Sequence, residues 1–230
     1  QPREGIGQAR RAGGDEAAAA AVSVKQPPDW YRVMRRAVAE TFARAEPGEV
    51  TEHVSPSGRY RLEVTRCSTG PNTWAYSRGR VFAVPGVEPV AVVDRNIGSF
   101  PFSWSEGHPS GHDFLICGED YQGQTVIGLD TGRRTDHIDP RAKVGMGFCW
   151  TAHYPSPCGR FLFVDGCIWA APYELLLLDF GAPLALPYRE LGRWPIRGAR
   201  LNLGGVATRS RRARPRPSAS AWARLPAGAP

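Results

Sequence analysis

A turn motif that occurs three times along the chain constrains the fold more than any other feature of the sequence. A proline, a serine or cysteine, and a glycine precede an apolar run at Pro56-Ser57-Gly58, Pro109-Ser110-Gly111 and Pro157-Cys158-Gly159. The three motifs begin 53 and 48 residues apart. This spacing is close to the roughly 40–50 residues of a propeller blade, so it predicts repeated copies of one supersecondary unit.

Each repeat also contains a second β-rich run that ends in an aspartate, in "PVAVVDR", "QTVIGLDTGR" and "YELLLLDFGAP". Short apolar runs separated by glycine, proline, serine and asparagine are typical of strands and turns. They predict strands near 59–66, 74–84, 88–94, 112–118, 124–130, 146–152, 160–165 and 173–180. We therefore expect an all-β fold of blade-like antiparallel repeats.

One helix is expected before the repeats. In "PPDWYRVMRRAVAETFARAEPG" apolar residues recur every three or four positions, which places them on one helix face. Asp29 is a candidate N-cap, and Pro47-Gly48 is a stop signal. The sequence predicts an amphipathic helix over 29–45 that packs on the β-domain.

Charge is distributed unevenly along the chain. The formal net charge is +7, from 29 basic and 22 acidic residues. Nine of the basic residues and none of the acidic ones lie in 192–230, a stretch rich in arginine, proline and alanine without sustained periodicity. We expect a disordered N-terminal segment over 1–25, a helix within 26–48, a β-repeat domain over 49–191 and a disordered tail over 192–230.

The repeats resemble those of a known architecture. "SPSGRYRLEV", "SPCGRFLFV" and "TVIGLDTGRR" resemble the turn and strand segments of Trp-Asp-type and Tol-associated β-propeller repeats, over roughly 55–185. The run from the Trp30 helix through "FPFSWSEGHPSGHDFLICGEDYQGQTVIGLDTG" is also similar to a group of uncharacterised bacterial proteins. Propellers typically close with about 4 to 8 four-stranded blades. Three repeats therefore imply a partial propeller that pairs with a copy of itself, an open β-sandwich, or further repeats after Glu190.

The densest group of candidate functional side chains lies in the second repeat. We expect ligand-binding residues among Trp104, Glu106, His108, His112 and Asp120. His108 and His112 have a spacing that binds metal on a helix, but Pro109 and Gly111 break any helix there. A turn is favoured over a metal site, with His108 and His112 kept as the alternative metal ligands. No catalytic residue is assigned.

Other patterns indicate structural roles. Glu119 and Asp120 are expected in a hairpin turn. The aromatic group Phe100, Phe102, Trp104, Phe148, Trp150 and Trp169 is expected in the core, with one exposed tryptophan as a partner anchor kept as the alternative. Five cysteines occur without CxxC spacing, which favours reduced thiols and a cytoplasmic protein. Cys158 is expected at the surface, and Cys149 and Cys167 inside strands.

The function that these features favour is a non-catalytic binding or scaffolding module with a protein or small-molecule partner. A homodimer through open sheet edges is one expected assembly, and no membrane segment is expected. No cofactor is expected, because nucleotide-binding glycine motifs do not occur. A G-x-S-x-G elbow does not occur either, so the sequence gives no support to a serine hydrolase. A metal-assisted, hydrolase-like propeller enzyme is the alternative. Nucleic-acid binding is a second, disfavoured alternative that would use Arg209, Arg211, Arg212, Arg214 and Arg216.

Overall fold

A computed structural model of the protein describes residues 28–118 and 122–196. Helix α1 covers Asp29–Arg44, and a short 3-10 helix covers Pro140–Val144. The strands are β1 Glu46–Val54, β2 Tyr60–Ser68, β3 Tyr76–Ala83, β4 Pro89–Arg95, β5 Phe102–Ser105, β6 Phe114–Cys117, β7 Gly123–Gly128, β8 Arg134–Ile138, β9 Phe148–Pro155, β10 Phe161–Ile168, β11 Glu174–Asp179 and β12 Glu190–Pro195. The segments predicted to be disordered lie largely outside the described residues, as do Glu119, Asp120 and the arginines from Arg209 to Arg216.

The strands form three four-stranded antiparallel sheets. Sheet 1 contains β1 to β4, sheet 2 contains β5 to β8 and sheet 3 contains β9 to β12, and each strand pairs with the next along the chain. The predicted all-β fold of blade-like antiparallel repeats with one N-terminal helix is therefore confirmed. The described residues form no closed propeller or barrel.

The repeated turn has the same backbone geometry in sheets 1 and 3. The Ser55 amide donates to the Tyr60 carbonyl at 2.9 Å, and the Ser156 amide donates to the Phe161 carbonyl at 2.8 Å. In return, the hydroxyl oxygens of Ser55 and Ser156 accept from the amides of Tyr60 and Phe161, at 3.2 and 3.0 Å. These buried serines hold the turn closed, so Tyr60 and Phe161 are equivalent positions.

Sheet 2 departs from this turn in two ways. His108 takes the place of the serine, and the Gly111 amide donates to its carbonyl at 2.9 Å. One additional residue, Asp113, precedes β6, so Phe114 is equivalent to Tyr60. Counting the same number of residues from the Pro-Ser-Gly motif in sheets 1 and 2 would place Asp113 at this position, which is one residue too early.

Sheet 2 lies between the other two sheets. Leu115 and Ile127 pack with Leu62 and Val81 of sheet 1. Phe114, Ile116 and Val126, on the other face, pack with core residues of sheet 3 such as Trp150 and Leu162. All residues of β6 and β7 are buried because both faces of the sheet are covered.

A buried arginine joins sheet 1 to sheet 2. Arg95, at the end of β4, is completely buried. Its guanidinium donates to the carbonyls of Gly118 at 2.9 Å and Cys117 at 3.3 Å. Hydrogen bonds to carbonyls offset part of the cost of removing the cation from water.

Helix α1 packs on sheet 1, as the amphipathic pattern predicts. Val38 and Phe42 contact Cys67 of β2, and the Arg78 guanidinium lies 4.3 Å from the centre of the Phe42 ring. Asp29 is not the N-cap, because the helix begins at Asp29 and Pro28 occupies the cap position without a side-chain hydrogen bond. The Asp29 carboxylate instead pairs with Arg32 in the first turn.

The cysteines occupy the predicted environments. Cys149 and Cys167 are buried at paired positions of β9 and β10, and Cys158 is exposed in the third turn. Burial raises the pKa of the Cys117 thiol to about 11. No helix within residues 28–118 and 122–196 is long and apolar enough to cross a membrane.

Candidate functional site

The connections 55–59, 106–113 and 156–160 meet at one end of the stacked sheets, which we name the turn end. The Glu106 carboxylate accepts hydrogen bonds from the Ser55 hydroxyl and the Ser57 amide of sheet 1, each at 2.9 Å. The Ser57 hydroxyl also donates to this carboxylate. Glu106 therefore links the first turn to the second.

His108 links the second turn to sheet 3. The imidazole is buried, and its ring edge meets Phe114 and Phe180. The Ser110 amide donates to Nδ1 at 3.1 Å, and Nε2 lies 3.1 Å from the Phe180 carbonyl. Because Nδ1 accepts, Nε2 carries the proton and donates to that carbonyl. Both ring nitrogens are thus used within the protein.

The neighbouring charged residues form two further pairs. His112 Nδ1 lies 2.6 Å from the Asp130 carboxylate. Burial alone would raise the pKa of Asp130, but the hydrogen bond with His112 outweighs this effect and the pKa is lowered. The buried Asp113 carboxylate pairs with Arg59 at 2.7 Å. Burial, and then the charge of Asp113, raise the pKa of Tyr60.

The structure brings three of the predicted ligand-binding residues, Glu106, His108 and His112, to the turn end. His108 and His112 bond to different partners, and within the described ranges no group of three or more histidine, cysteine, aspartate or glutamate side chains could hold a metal. Trp104 is half-buried against the core between sheets 1 and 2. Asp120 lies outside the described residues, and a ligand-binding role for the set stays a prediction.

Exposed aromatic side chains that the sequence analysis did not locate lie at the opposite end of the stack. We name this end of the stack the aromatic end. Trp74 lies between β2 and β3 and is 62% exposed, and Trp169 lies between β10 and β11 and is 63% exposed. These connections join the second and third strands of sheets 1 and 3, so they are equivalent. The prediction that Trp169 belongs to the core is wrong, whereas Phe148 and Trp150 of the same predicted cluster are buried.

Other exposed apolar side chains lie at the same end. Tyr173 follows Trp169 in the same connection and is 46% exposed, and Val144 and Met146 are exposed in the connection from β8 to β9. Among the described residues, the exposed large aromatic side chains are all at this end. The connections 69–75, 96–101 and 169–173 contain no charged residue.

Hydrogen bonding fixes the position of Trp74. Its indole nitrogen donates to the carbonyl of Asn96, in the connection from sheet 1 to sheet 2. The residues on either side, Thr73 and Ala75, line a shallow cavity of about 400 Å³ together with Arg66 and Ser68. The ring is therefore held at the rim of a concave surface while most of it faces solvent.

Comparisons with known proteins give little direct information on function. No family model and no solved structure matches the chain. Over 132 residues it is 36% identical to an uncharacterized protein of Acanthamoeba polyphaga mimivirus. The match covers 57% of this chain and 51% of that protein, so the chain spans about half the length of the relative. The predicted similarity to bacterial proteins is not shown by these comparisons.

Proposed function

We propose that the protein is a non-catalytic binding module that holds a partner polypeptide at its aromatic end. The observation that supports this function is the pair of equivalent connections that expose Trp74 and Trp169 at the same end of the sheets. Single exposed apolar side chains are common on soluble proteins, whereas several gathered at one end of a fold indicate an interaction surface.

Tryptophan is suited to such a role because one ring buries a large apolar area and can also donate a hydrogen bond. Trp74 is restrained by its hydrogen bond to Asn96, so it would lose little conformational entropy on binding. The loops around both tryptophans carry no charge. We therefore expect the contacting part of the partner to be an uncharged, apolar or proline-rich segment rather than an acidic or basic one.

A random peptide display library presented to the full chain tests this function. The expected result is enrichment of uncharged apolar peptides. Because contacts with two aromatic anchors are lost, the W74S/W169S double variant should bind an enriched peptide at least about tenfold more weakly, measured by isothermal titration calorimetry.

The matched control is V87S, which removes an exposed apolar side chain at the turn end, where Val87 is 83% exposed. V87S should bind the enriched peptide like the unmodified chain. A library that yields no binder contradicts the proposal. Equal affinity of the double variant and the unmodified chain for the enriched peptide also contradicts it.

A further inference from the structure

The cavity beside Trp74 at the aromatic end contains charged and polar groups that the proposed function has not yet used. Its walls are formed by Gly48 and Glu49 of β1, by the end of β2 from Arg66 to Ser68, and by the connection 69–75. Its volume of about 400 Å³ is at the lower end of the range for small-ligand sites. It therefore suits a small ligand or the end of a chain rather than a helix or a strand.

Arg66 supplies the positive charge of this cavity. Its side chain is exposed and forms no ion pair or side-chain hydrogen bond with another residue of 28–118 or 122–196. A Cβ atom at Gly98 would lie 2.9 Å from the Ala75 Cβ and 3.3 Å from the Arg66 Nε. The guanidinium therefore lies against the connection 96–101, in which the Asn96 carbonyl accepts the hydrogen bond from Trp74.

Two more hydrogen-bond donors line the cavity. Ser68 follows Arg66 by two residues in β2, so both side chains lie on the same face of sheet 1. Asn72 has a φ of +60°, a left-handed conformation that asparagine tolerates better than most residues. Neither side chain bonds to another residue in the part of the chain that the structure describes. The Thr73 hydroxyl, by contrast, donates to the Gly70 carbonyl at 2.8 Å.

Glu49 limits the kind of anion that the cavity favours. Its carboxylate also lines the cavity, and among the described residues no ion pair joins it to Arg66. Repulsion from Glu49 grows with the charge of the ligand. The parallel N–H groups of one guanidinium match one carboxylate. A single carboxylate is therefore favoured over a phosphate or a polyanion.

We propose that this cavity binds the C-terminal carboxylate of the partner polypeptide, with Arg66 as its bidentate partner and Ser68 and Asn72 as further donors. This assignment rests on the proposed peptide-binding function and specifies which end of the partner enters. A terminal carboxylate is the one charge that a segment with uncharged side chains can still carry. It explains why a cation lies beside connections that contain no charged residue. The apolar side chains before the terminus would lie on Trp74 at the rim.

Peptide display in two formats tests this assignment with the full chain as bait. One library presents random peptides with a free C terminus, and the other joins the C terminus of each peptide to the carrier protein. We expect enrichment only in the library with free C termini. An enriched peptide synthesised as the free acid should bind at least about tenfold more tightly than its C-terminal amide in isothermal titration calorimetry, because the amide has no charge to pair with Arg66.

Three variants locate the carboxylate in the cavity. R66Q should weaken binding of the free acid at least about tenfold and leave binding of the amide unchanged. E49Q removes a repulsive charge and should strengthen binding of the free acid. The matched control is R80Q, which changes an exposed arginine on the opposite face of sheet 1 and should bind like the unmodified chain. The comparison of acid and amide uses the unmodified chain, so it stays decisive if a variant fails to fold.

The possible results separate this assignment from the proposed function. Peptides whose binding needs Trp74 and Trp169 but not a free C terminus would overturn the assignment and leave the peptide-binding function standing. An amide that regains binding when its last residue is aspartate or glutamate would also overturn it, because the carboxylate would then belong to a side chain. Equal binding of the free acid by R66Q and R80Q would do the same. A lack of binders in both libraries would contradict the function and the assignment together.

Discussion

Ser103 of β5 and His153 of β9 are joined by a hydrogen bond, and the other imidazole nitrogen has no hydrogen-bond partner in the described part of the chain. The Ser103 hydroxyl donates to the His153 carbonyl, so the imidazole Nδ1, which lies 2.9 Å from the same hydroxyl oxygen, carries the proton and donates to it. Nε2 is buried, and no described residue forms a hydrogen bond with it. Burial, and then the positive charge of Arg95, lower the pKa of His153 to about 3.

This arrangement predicts a loss of stability in mild acid. The pKa of His153 is about 6.5 in the unfolded chain and about 3 in the folded chain. Between these two pH values the unfolded chain binds a proton at His153 and the folded chain does not, so acid favours unfolding. The free energy of unfolding should therefore fall by about 3 kcal/mol between pH values of about 7 and 4 from this group alone. H153N removes the titration, so its urea-unfolding curves should change less over this range, and equal pH dependence of the two proteins would contradict the assignment.

Asp136 predicts a further loss of stability in acid, at lower pH than that of His153. Burial alone would raise its pKa, but Arg134 and then Arg35 lower it to about 2. Since the folded pKa lies below the unfolded value of about 3.9, the carboxylate stabilises the fold above that pH. D136N should lower the free energy of unfolding by about 2 kcal/mol at neutral pH, and about half of this difference should be lost by a pH of about 3. A difference between the two proteins that does not change with pH would exclude this mechanism.

Glu106 predicts a measurable link between sheets 1 and 2. E106Q replaces one acceptor oxygen by an amide group that cannot accept from the Ser57 amide or the Ser55 hydroxyl. We expect a loss of about 1–2 kcal/mol in chemical denaturation, the cost of one charge-assisted hydrogen bond. E88Q changes an exposed carboxylate at the turn end and serves as the control, with no expected effect. Equal stabilities of E106Q and E88Q would contradict the link.

Gly118 lies where sheets 2 and 3 are too close together for a larger side chain. A Cβ atom at this position would lie 2.4 Å from the carbonyl oxygen of Trp150 and 3.0 Å from its Cβ, so the sheets would have to separate. G118A should cost about 2–3 kcal/mol in thermal or chemical unfolding. The control, G111A, has open space around it but a φ of +81°, and should cost about 1 kcal/mol from backbone strain alone. A G118A protein as stable as G111A would show that the sheets can adjust.

The strands that the sequence predicted and those that it missed differ in one physical respect. All six central strands, β2, β3, β6, β7, β10 and β11, were predicted, and the four strands that were missed are β1, β5, β8 and β12. Each missed strand is at the edge of its sheet. Edge strands face solvent along one side and tolerate charge, proline and glycine, so sequences such as "EPGEVTEHV" and "RTDHI" lack the apolar period of a strand.

Missing the edge strands also hid the aromatic end. Because successive strands of each sheet run in opposite directions, the number of preceding strands decides at which end of the stack a connection lies. Fewer than four strands were predicted in every repeat, so the ends could not be assigned. Trp74 was assigned to a strand, although it precedes β3. The same error affects the three aspartates that the sequence analysis treated as equivalent, Asp94, Asp130 and Asp179. Asp130 follows β7 and Asp179 ends β11, and both of these are the third strands of their sheets. Asp94 instead lies in β4, the fourth strand of sheet 1. The cluster of Glu106, His108 and His112 was found from local residue density alone, which does not reveal partners.

The burial of sheet 2 on both sides has a consequence for how the protein can be divided. A fragment that contained only this sheet would present two water-exposed faces of leucine, isoleucine and phenylalanine, and would aggregate rather than fold. Cutting the chain between any two sheets leaves at least one such face uncovered. The three repeats therefore behave as one cooperative unit, in spite of their separate hydrogen-bonded sheets, and limited proteolysis should release no stable single repeat.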